Sequence, residues 1–264
     1  VAPLITLTTD FGTADPYVAE MKGVLAHAGP PDLRMLDLSH ELPVFDVQAA
    51  ALFLRAAVPR FPAQTIHLVV VDPGVGSERA PIVVQLRDQW LVGPDNRVFG
   101  YLYDGSEQVY VVDPARVSAQ PLSGTFHGRD LFAPVAARLA RGEAPSEFAL
   151  RAESYQHMVF PMVELTGELL LGRVIHIDRF GNLITNITQS VLRGFLEQQP
   201  ERTPLISFGE RHVRGLVNHY AEVKSGELLA LIGSSQLLEV SVREGSAASK
   251  LGAQLGKQIR VQRG

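Results

Sequence analysis

Three side chains stand where they could do chemistry. Asp10 ends the run LITLTTD, Asp72 ends TIHLVVVD, and His127 lies in GTFHGRD just ahead of an apolar periodic stretch. In open α/β sheets, ligands gather beyond the carboxyl ends of the strands, and an acid at a strand tip ahead of a glycine-containing loop points there. Two acids and a histidine could hold a metal, relay a proton or steady a water molecule. Each acid taken alone is equally suited to capping a turn.

The surrounding residues narrow these options. A phosphate-cradling loop needs a lysine after its last glycine and a helix whose N-terminus faces the phosphates, and VVVDPGVGSER at 69–79 has neither. The chain has no G-x-S-x-G for a strand-to-helix nucleophile elbow. Its eight histidines include no H-x-x-x-H or H-x-H pair, and Arg79, close to Asp72, would repel a cation, so a metallohydrolase on Asp10, Asp72 and His127 ranks below a metal-free site. Arg129 and Asp130 read as a pair or cap at a helix start.

These residues must be carried by elements, and the first half alternates strand-like and helix-like patterns. LITLTTD (4–10) is a strand; DPYVAEMKGVLAHAG is a helix, with Asp15 expected as N-cap, Pro16 as first helical residue and Gly29 as stop. LRMLDLS (33–39) is a second strand, and a helix follows from a capping Asp46 to Pro59. TIHLVVVD (65–72), almost continuously apolar, reads as a central strand covered on both faces. Two strands around GPDN, a further strand QVYVVD and an amphipathic helix over 128–142, with Leu131, Val135 and Leu139 on one side, complete a layered α/β domain with a central, mostly parallel sheet.

From about residue 155 the texture changes to short alternating segments: LLLGRVIHIDRFGNLITNI, PLISFGERHVRGLV, ELLALIGSSQLLEVSV and KQIRVQRG. These predict a smaller all-β barrel. The expected division is an α/β domain over 1–160 and a β-barrel domain over 168–264. Within the second, IDRFGNLITN sets an acid, an aromatic and two asparagines beside one another, suited either to a nucleobase or amino-acid ligand or to a bulged turn.

Bulk composition excludes several classes. With 264 residues and 46% hydrophobic content the chain can bury a core unaided. A net charge of -4 and scattered basic residues give no footprint for nucleic acid. Zero cysteines exclude disulfides, thiolate metal sites and a Cys nucleophile, and fit a reducing interior. No apolar run approaches the ~20 residues that cross a bilayer, and the N-terminus lacks the pattern of a signal peptide, so a soluble, cytoplasmic protein without a membrane partner is expected.

Taken in order, TTDFG (8–12), DPGVG (72–76), GPDN (93–96), TFHGRD (125–130) and DRFGNLITN (178–186) resemble the S-adenosyl-L-methionine (SAM) hydroxide adenosyltransferase family, which is related to the SAM-dependent fluorinase and chlorinase. The resemblance spans nearly the whole chain. It implies an N-terminal α/β domain, a smaller C-terminal β-barrel, and a homotrimer that binds SAM between one subunit's N-domain and its neighbour's C-domain. It also implies hydrolysis of SAM to adenosine and L-methionine by attack of water or hydroxide on ribose C5′, with no cofactor and no metal.

The family's water-handling residues fall on Asp72, Arg79 and His127. Asp10 matches the acid that takes the ribose hydroxyls, Phe45 an aromatic beside the sugar, and Asp15 another acid near that loop. The resemblance also implies Val75 near the nucleophile pocket and Phe126 and Gly128 as substrate-binding residues. Asp178 and Ser234 match positions around the methionine amine and carboxylate, Phe180 and Asn182 adenine contacts, and Glu239 and Val242 further ligand-lining positions, Val242 through its backbone. The halogenases carry Tyr-Ser or Tyr-Gly where this chain has His127-Gly128 and lack the DPGVG acid, which points to water rather than halide. Ser235 and Gln236 depart from the aromatic and glycine frequent there. A halogenase-type substitution, or a non-catalytic SAM- or adenosine-binding protein, are the alternatives.

Overall fold

The computed structural model describes residues 2–119, 121–199 and 201–264. The chain divides into two compact units, Val1–Val159 and Phe160–Gly264.

The first unit is built on one seven-stranded sheet. Its strands are β1 (Leu4–Thr9), β2 (Arg34–Ser39), β3 (Ile66–Val70), β4 (Pro81–Leu86), β5 (Gln89–Pro94), β6 (Gln108–Val112) and β7 (Ala149–Arg151), in the order β2-β1-β3-β5-β4-β6-β7. β2, β1, β3 and β5 run parallel, whereas β4, β6 and β7 add antiparallel pairings. The expectation of a mostly parallel sheet is therefore corrected to a mixed one. The reason is local: β4 and β5 are separated by only Arg87 and Asp88, too short for a crossover, so they form a hairpin.

Helices α1 (Tyr17–Ala28), α2 (Val47–Ala57), the single turn α3 (Pro114–Val117) and α4 (Ala133–Ala140) complete the unit. β3 is buried throughout, as its apolar run predicted. One core gathers Met21 and Leu25 of α1 with Leu131, Val135 and Leu139 of the α4 region. A second gathers Ala50 and Leu54 of α2 with Val69, Val71 and Leu91.

Two helix starts differ from expectation. Asp46 caps α2 as predicted, its carboxylate accepting from Ala49 N at 2.8 Å. Asp15 does not cap α1; the N-cap is Pro16, in αR conformation and without a side-chain bond. The stretch expected to open α4 is a π-turn over Gly128–Phe132. Pro134 explains the irregularity, because it lacks the N–H that a regular α-turn through this stretch would use.

The second unit holds β8 (Glu164–Thr166), β9 (Leu169–Ile177), β10 (Leu183–Thr188), β11 (Pro204–Phe208), β12 (Arg211–Arg214), β13 (Leu228–Ile232), β14 (Leu237–Val242) and β15 (Gln258–Arg263). Their order is β12-β11-β15-β9-β10-β14-β13, with β8 on β9. The end strands β12 and β13 approach each other without pairing, so the sheet curls into a nearly closed barrel. The unit is not all-β: α5 (Gln189–Leu196), capped by Thr188, and the short α6 (Ala247–Leu251) pack Leu192, Phe195 and Ala247 into its core.

Candidate active site

Parallel pairing sets the first group. Thr9 faces Val70 in the β1–β3 register, so the segments leaving both strands, with Asp10 and Asp72, emerge at one edge of the sheet. After Asp72 the chain turns through Val75, whose N–H donates to Asp72 O at 3.2 Å, and returns to bring Arg79 back onto the same aspartate. Arg79 Nε donates to Asp72 Oδ1 at 2.9 Å and to Oδ2 at 3.0 Å, and Nη2 also donates to Oδ2. Both side chains are nearly sealed from solvent. A bidentate pair of this kind holds Arg79 in one orientation.

His127 joins from the other side. Arg79 Nη2 lies 2.7 Å from His127 Nδ1. A guanidinium can only donate, so Nδ1 must accept and the neutral ring carries its proton on Nε2. Burial, then the Arg79 charge, lowers the His127 pKa, partly offset by Asp72 and Asp130. The ring is thus a neutral N–H donor near pH 7. Arg79 also stacks over Phe132, its Cζ 5.2 Å from the ring centroid.

The second glycine of DPGVG lets another loop close onto its backbone. Gly76 has φ +80°, and a Cβ there would stand 2.5 Å from the Gly124 carbonyl, so the loop carrying Asp72 and Arg79 sits directly on the loop leading to His127. Gly128 is buried, and a Cβ would meet Met21 Sδ and the Phe126 ring at 3.1 Å each. Phe126 packs edge-on against Phe11 and Tyr17, at centroid distances of 5.9 and 5.3 Å. Arg129 pairs with Asp130 and Glu20, as expected of the helix start.

Asp10 and Phe45 form a second contact in this unit. Asp10 is buried, and its Oδ2 accepts from Phe45 N at 2.8 Å, which leaves Oδ1 for a ligand. Phe45 has φ +65° and is 69% exposed, so its ring is held out into solvent by strained backbone. Asp15 is exposed on the same loop as Asp10.

Three sequence-predicted residues of the second unit, Asp178, Phe180 and Asn182, gather around one turn. Asp178 Oδ1 accepts from Phe180 N and Asn182 N at 2.9 Å each, and Oδ2 accepts from Asn182 Nδ2 at 2.9 Å. This knot leaves the Phe180 ring 77% exposed. The turn between β9 and β10 is thus anchored by the Asp178 carboxylate rather than by an asparagine side chain.

Glu239 is buried on β14, with its Oε1 accepting from Tyr220 Oη at 2.5 Å and Ser241 Oγ at 2.7 Å. Tyr220 and Ser241 escaped sequence reading. Burial and then Glu239 and Asp178 raise the Tyr220 pKa, which keeps the phenol a donor. Ser234 is exposed in the β13–β14 turn, and Val242 is buried, its carbonyl accepting from Gly245 N at 3.2 Å.

A metal on Asp72 would have to displace Arg79 from both carboxylate oxygens. Among the described residues no three His, Asp or Glu side chains are grouped to hold a metal ion.

An Asp-Arg-His cluster, its ion pair nearly sealed and its histidine half-buried, thus stands at the carboxyl edge of a mixed α/β sheet, on a chain that continues into a β-barrel-like unit. The chain belongs to the SAM hydroxide adenosyltransferase family: the N-terminal domain of that family matches residues 5–149 and the C-terminal domain residues 172–260. It is 37% identical to an (R)-S-adenosyl-L-methionine hydrolase from Thermus thermophilus, over 96% of this chain and 97% of that protein. A fluorinase from Actinoplanes is more distant, at 26% identity over 72% of this chain and 73% of its own. The crystal structure of an uncharacterized conserved protein from Thermotoga maritima superposes with a TM-score of 0.88 at 32% identity, covering 98% of this chain and 100% of that one.

Proposed function

We propose that this protein hydrolyses S-adenosyl-L-methionine to adenosine and L-methionine. The observation that carries this reading is the Asp72–Arg79–His127 cluster, on a chain of this family at 37% identity to a named SAM hydrolase. The oxygen of a water or hydroxide attacks ribose C5′ in line with the departing sulfur. The C5′–S bond breaks, its electron pair stays on sulfur to give the neutral thioether of methionine, and the proton of the attacking water leaves to solvent or to Asp72.

Free water is a poor nucleophile, with a pKa near ~15.7, and the fixed Arg79 charge favours its hydroxide form. His127 offers Nε2–H to the attacking oxygen and aims it; to act as base at Nε2 it would have to give up the bond from Arg79. Asp72 holds the cation in place and keeps free lone pairs for the proton. Anion and sulfonium cancel charge as they react, so a dry site assists the step.

Asp10, with Phe45 beside it, takes the ribose hydroxyls. Val75, Phe126 and Gly128 shape the nucleophile side, and Asp15 lies near the sugar loop. In the C-terminal unit Asp178 and Ser234 take the methionine amine and carboxylate, Phe180 and Asn182 the adenine, and Glu239 and Val242 line the ligand. The protein works as a homotrimer, in which a neighbouring subunit's C-terminal unit completes each SAM site, and it acts in the cytoplasm without a cofactor.

Turnover in oxygen-18 water, run on each sulfonium epimer of SAM with and without chloride or fluoride, tests the proposal. Label in the adenosine 5′-oxygen is expected, with preference for the (R) epimer that the Thermus relative's name specifies. Unlabelled adenosine, a 5′-halo nucleoside as main product, or SAM bound without turnover would each overturn it.

A further inference from the structure

We propose that His40 is a positioning residue that locks the backbone on both sides of Asp10. The inference rests on the reading of Asp10 as the acceptor for the ribose hydroxyls. Asp10 sits at the tip of β1, where a strand ends and the chain is free to move unless something holds it. Three bonds hold it, and two of them lead to His40.

His40 is buried, only 5% exposed, in the loop after β2. Its Nδ1 lies 2.9 Å from Thr9 Oγ1, and its carbonyl accepts from Gly12 N at 2.7 Å. Thr9 Oγ1 in turn accepts from Phe11 N at 3.3 Å. The residue before Asp10 and the two after it are therefore tied to one imidazole and its own backbone. On its far side, His40 Nε2 lies 3.0 Å from Asp37 Oδ1, an oblique contact, and Asp37 Oδ2 accepts from Lys22 Nζ of α1 at 2.5 Å.

The polarity of this chain follows from donor capacity. Burial would raise the Asp37 pKa, but the Lys22 bond and the nearby His40 outweigh it and hold Asp37 below the usual carboxylate range. An ionised carboxylate can only accept, so the tautomer that keeps an N–H on the Nε2 side facing Asp37 leaves Nδ1 to accept from Thr9. Thr9 then donates its hydroxyl to Nδ1 while accepting from Phe11 N–H, so His40, through its ring and its own carbonyl, ties the loop after β2 to both sides of Asp10. Thr9 is fully buried, and losing its acceptor would strand a hydroxyl away from water.

The test compares SAM with its 2′-deoxy and 3′-deoxy analogues, which lack one ribose hydroxyl each. Wild type should favour SAM by about ten-fold in kcat/KM, the value of one well-made hydrogen bond to a charged group. Asp10→Asn should abolish most of that preference. His40→Ala should do the same, raising KM for SAM more than it lowers kcat, while the KM of the deoxy analogues changes little. His40→Asn, whose Oδ1 can replace Nδ1 as the acceptor for Thr9, should restore the preference. Thr9→Val should mimic His40→Ala and Thr9→Ser should not, which covers the case of His40→Ala failing to fold.

Equal losses on SAM and its deoxy analogues in His40→Ala, or an Asn variant no better than Ala, would overturn the role of His40 and leave that of Asp10 standing. Persistence of the ribose preference in Asp10→Asn would overturn the reading of Asp10 itself, and the proposal with it.

Discussion

Arg79 Nη2 and His127 Nδ1 meet at 2.7 Å, so the histidine of the cluster is held in a single tautomer by a cation that cannot accept a proton. Protonating His127 would place an N–H against an N–H and bring two positive groups together.

The acid limb of the pH–activity profile should therefore lie below the ordinary histidine value of 6.5, because burial and then the Arg79 charge lower this pKa. Activity is retained above the lowered pKa and lost as pH falls through it. In Arg79→Gln the residual activity should show the limb shifted upward. Steady-state kcat/KM between pH 4 and 9 measures both, and an unshifted limb in the variant would refute the coupling.

Asp72→Asn leaves Arg79 buried with a neutral partner. Breaking a buried ion pair by removing one member costs about 3–5 kcal/mol, of which the amide's remaining bond recovers a part. A drop of at least 10²-fold in kcat is expected together with a lower urea midpoint. Chemical denaturation separates the two effects, since activity should remain depressed far below the transition.

Gly76→Ala tests the seat between the two loops. Its φ of +80° and the 2.5 Å approach to the Gly124 carbonyl leave no place for a methyl group. Destabilisation of about 1–3 kcal/mol is expected from backbone strain. Turnover should fall as the His127 loop is pushed away from Arg79. Gly105→Ala, also at positive φ but with open space around it, should cost stability with little loss of turnover.

His67, buried in β3, is held to a pKa of about 4 by desolvation, against 6.5 for the free side chain. Its Nδ1 lies 2.7 Å from Thr6 Oγ1. Because the folded value is depressed, the stability it supports is present above pH 6.5 and drains away between 6.5 and 4, by about 3 kcal/mol in all. Trp90, the single tryptophan, lies on β5 beside Leu91, the partner of His67, and reports the unit's unfolding. His67→Gln should flatten the pH dependence of its denaturation midpoint over that range.

Much of this arrangement could be read from the chain. Asp46 capped its helix, the apolar run ending at Asp72 was the buried central strand, and Asp72, Arg79 and His127 converged as their motifs implied. What escaped depended on partners remote in sequence. Thr9 meets His40 and Tyr220 meets Glu239 only through tertiary folding, and neither pair leaves a local pattern. The helix α5 was hidden because its eight residues follow directly on a strand, with only Thr188 as a start signal. Asp15 misled because a capping aspartate before a proline is a good local signal that the surrounding turn overrode.

The backbone at Phe45 carries a further consequence for anyone improving this protein. A left-handed φ with a ring 69% exposed is the kind of position at which a search for thermal robustness would install glycine or asparagine, and the melting temperature should reward it. The same exchange removes the aromatic surface that the Asp10 carboxylate holds out to solvent. With Phe45 beside the ribose as proposed, position 45 is a place where sturdiness and turnover pull in opposite directions, and a screen that scores heat resistance alone would choose against the catalyst.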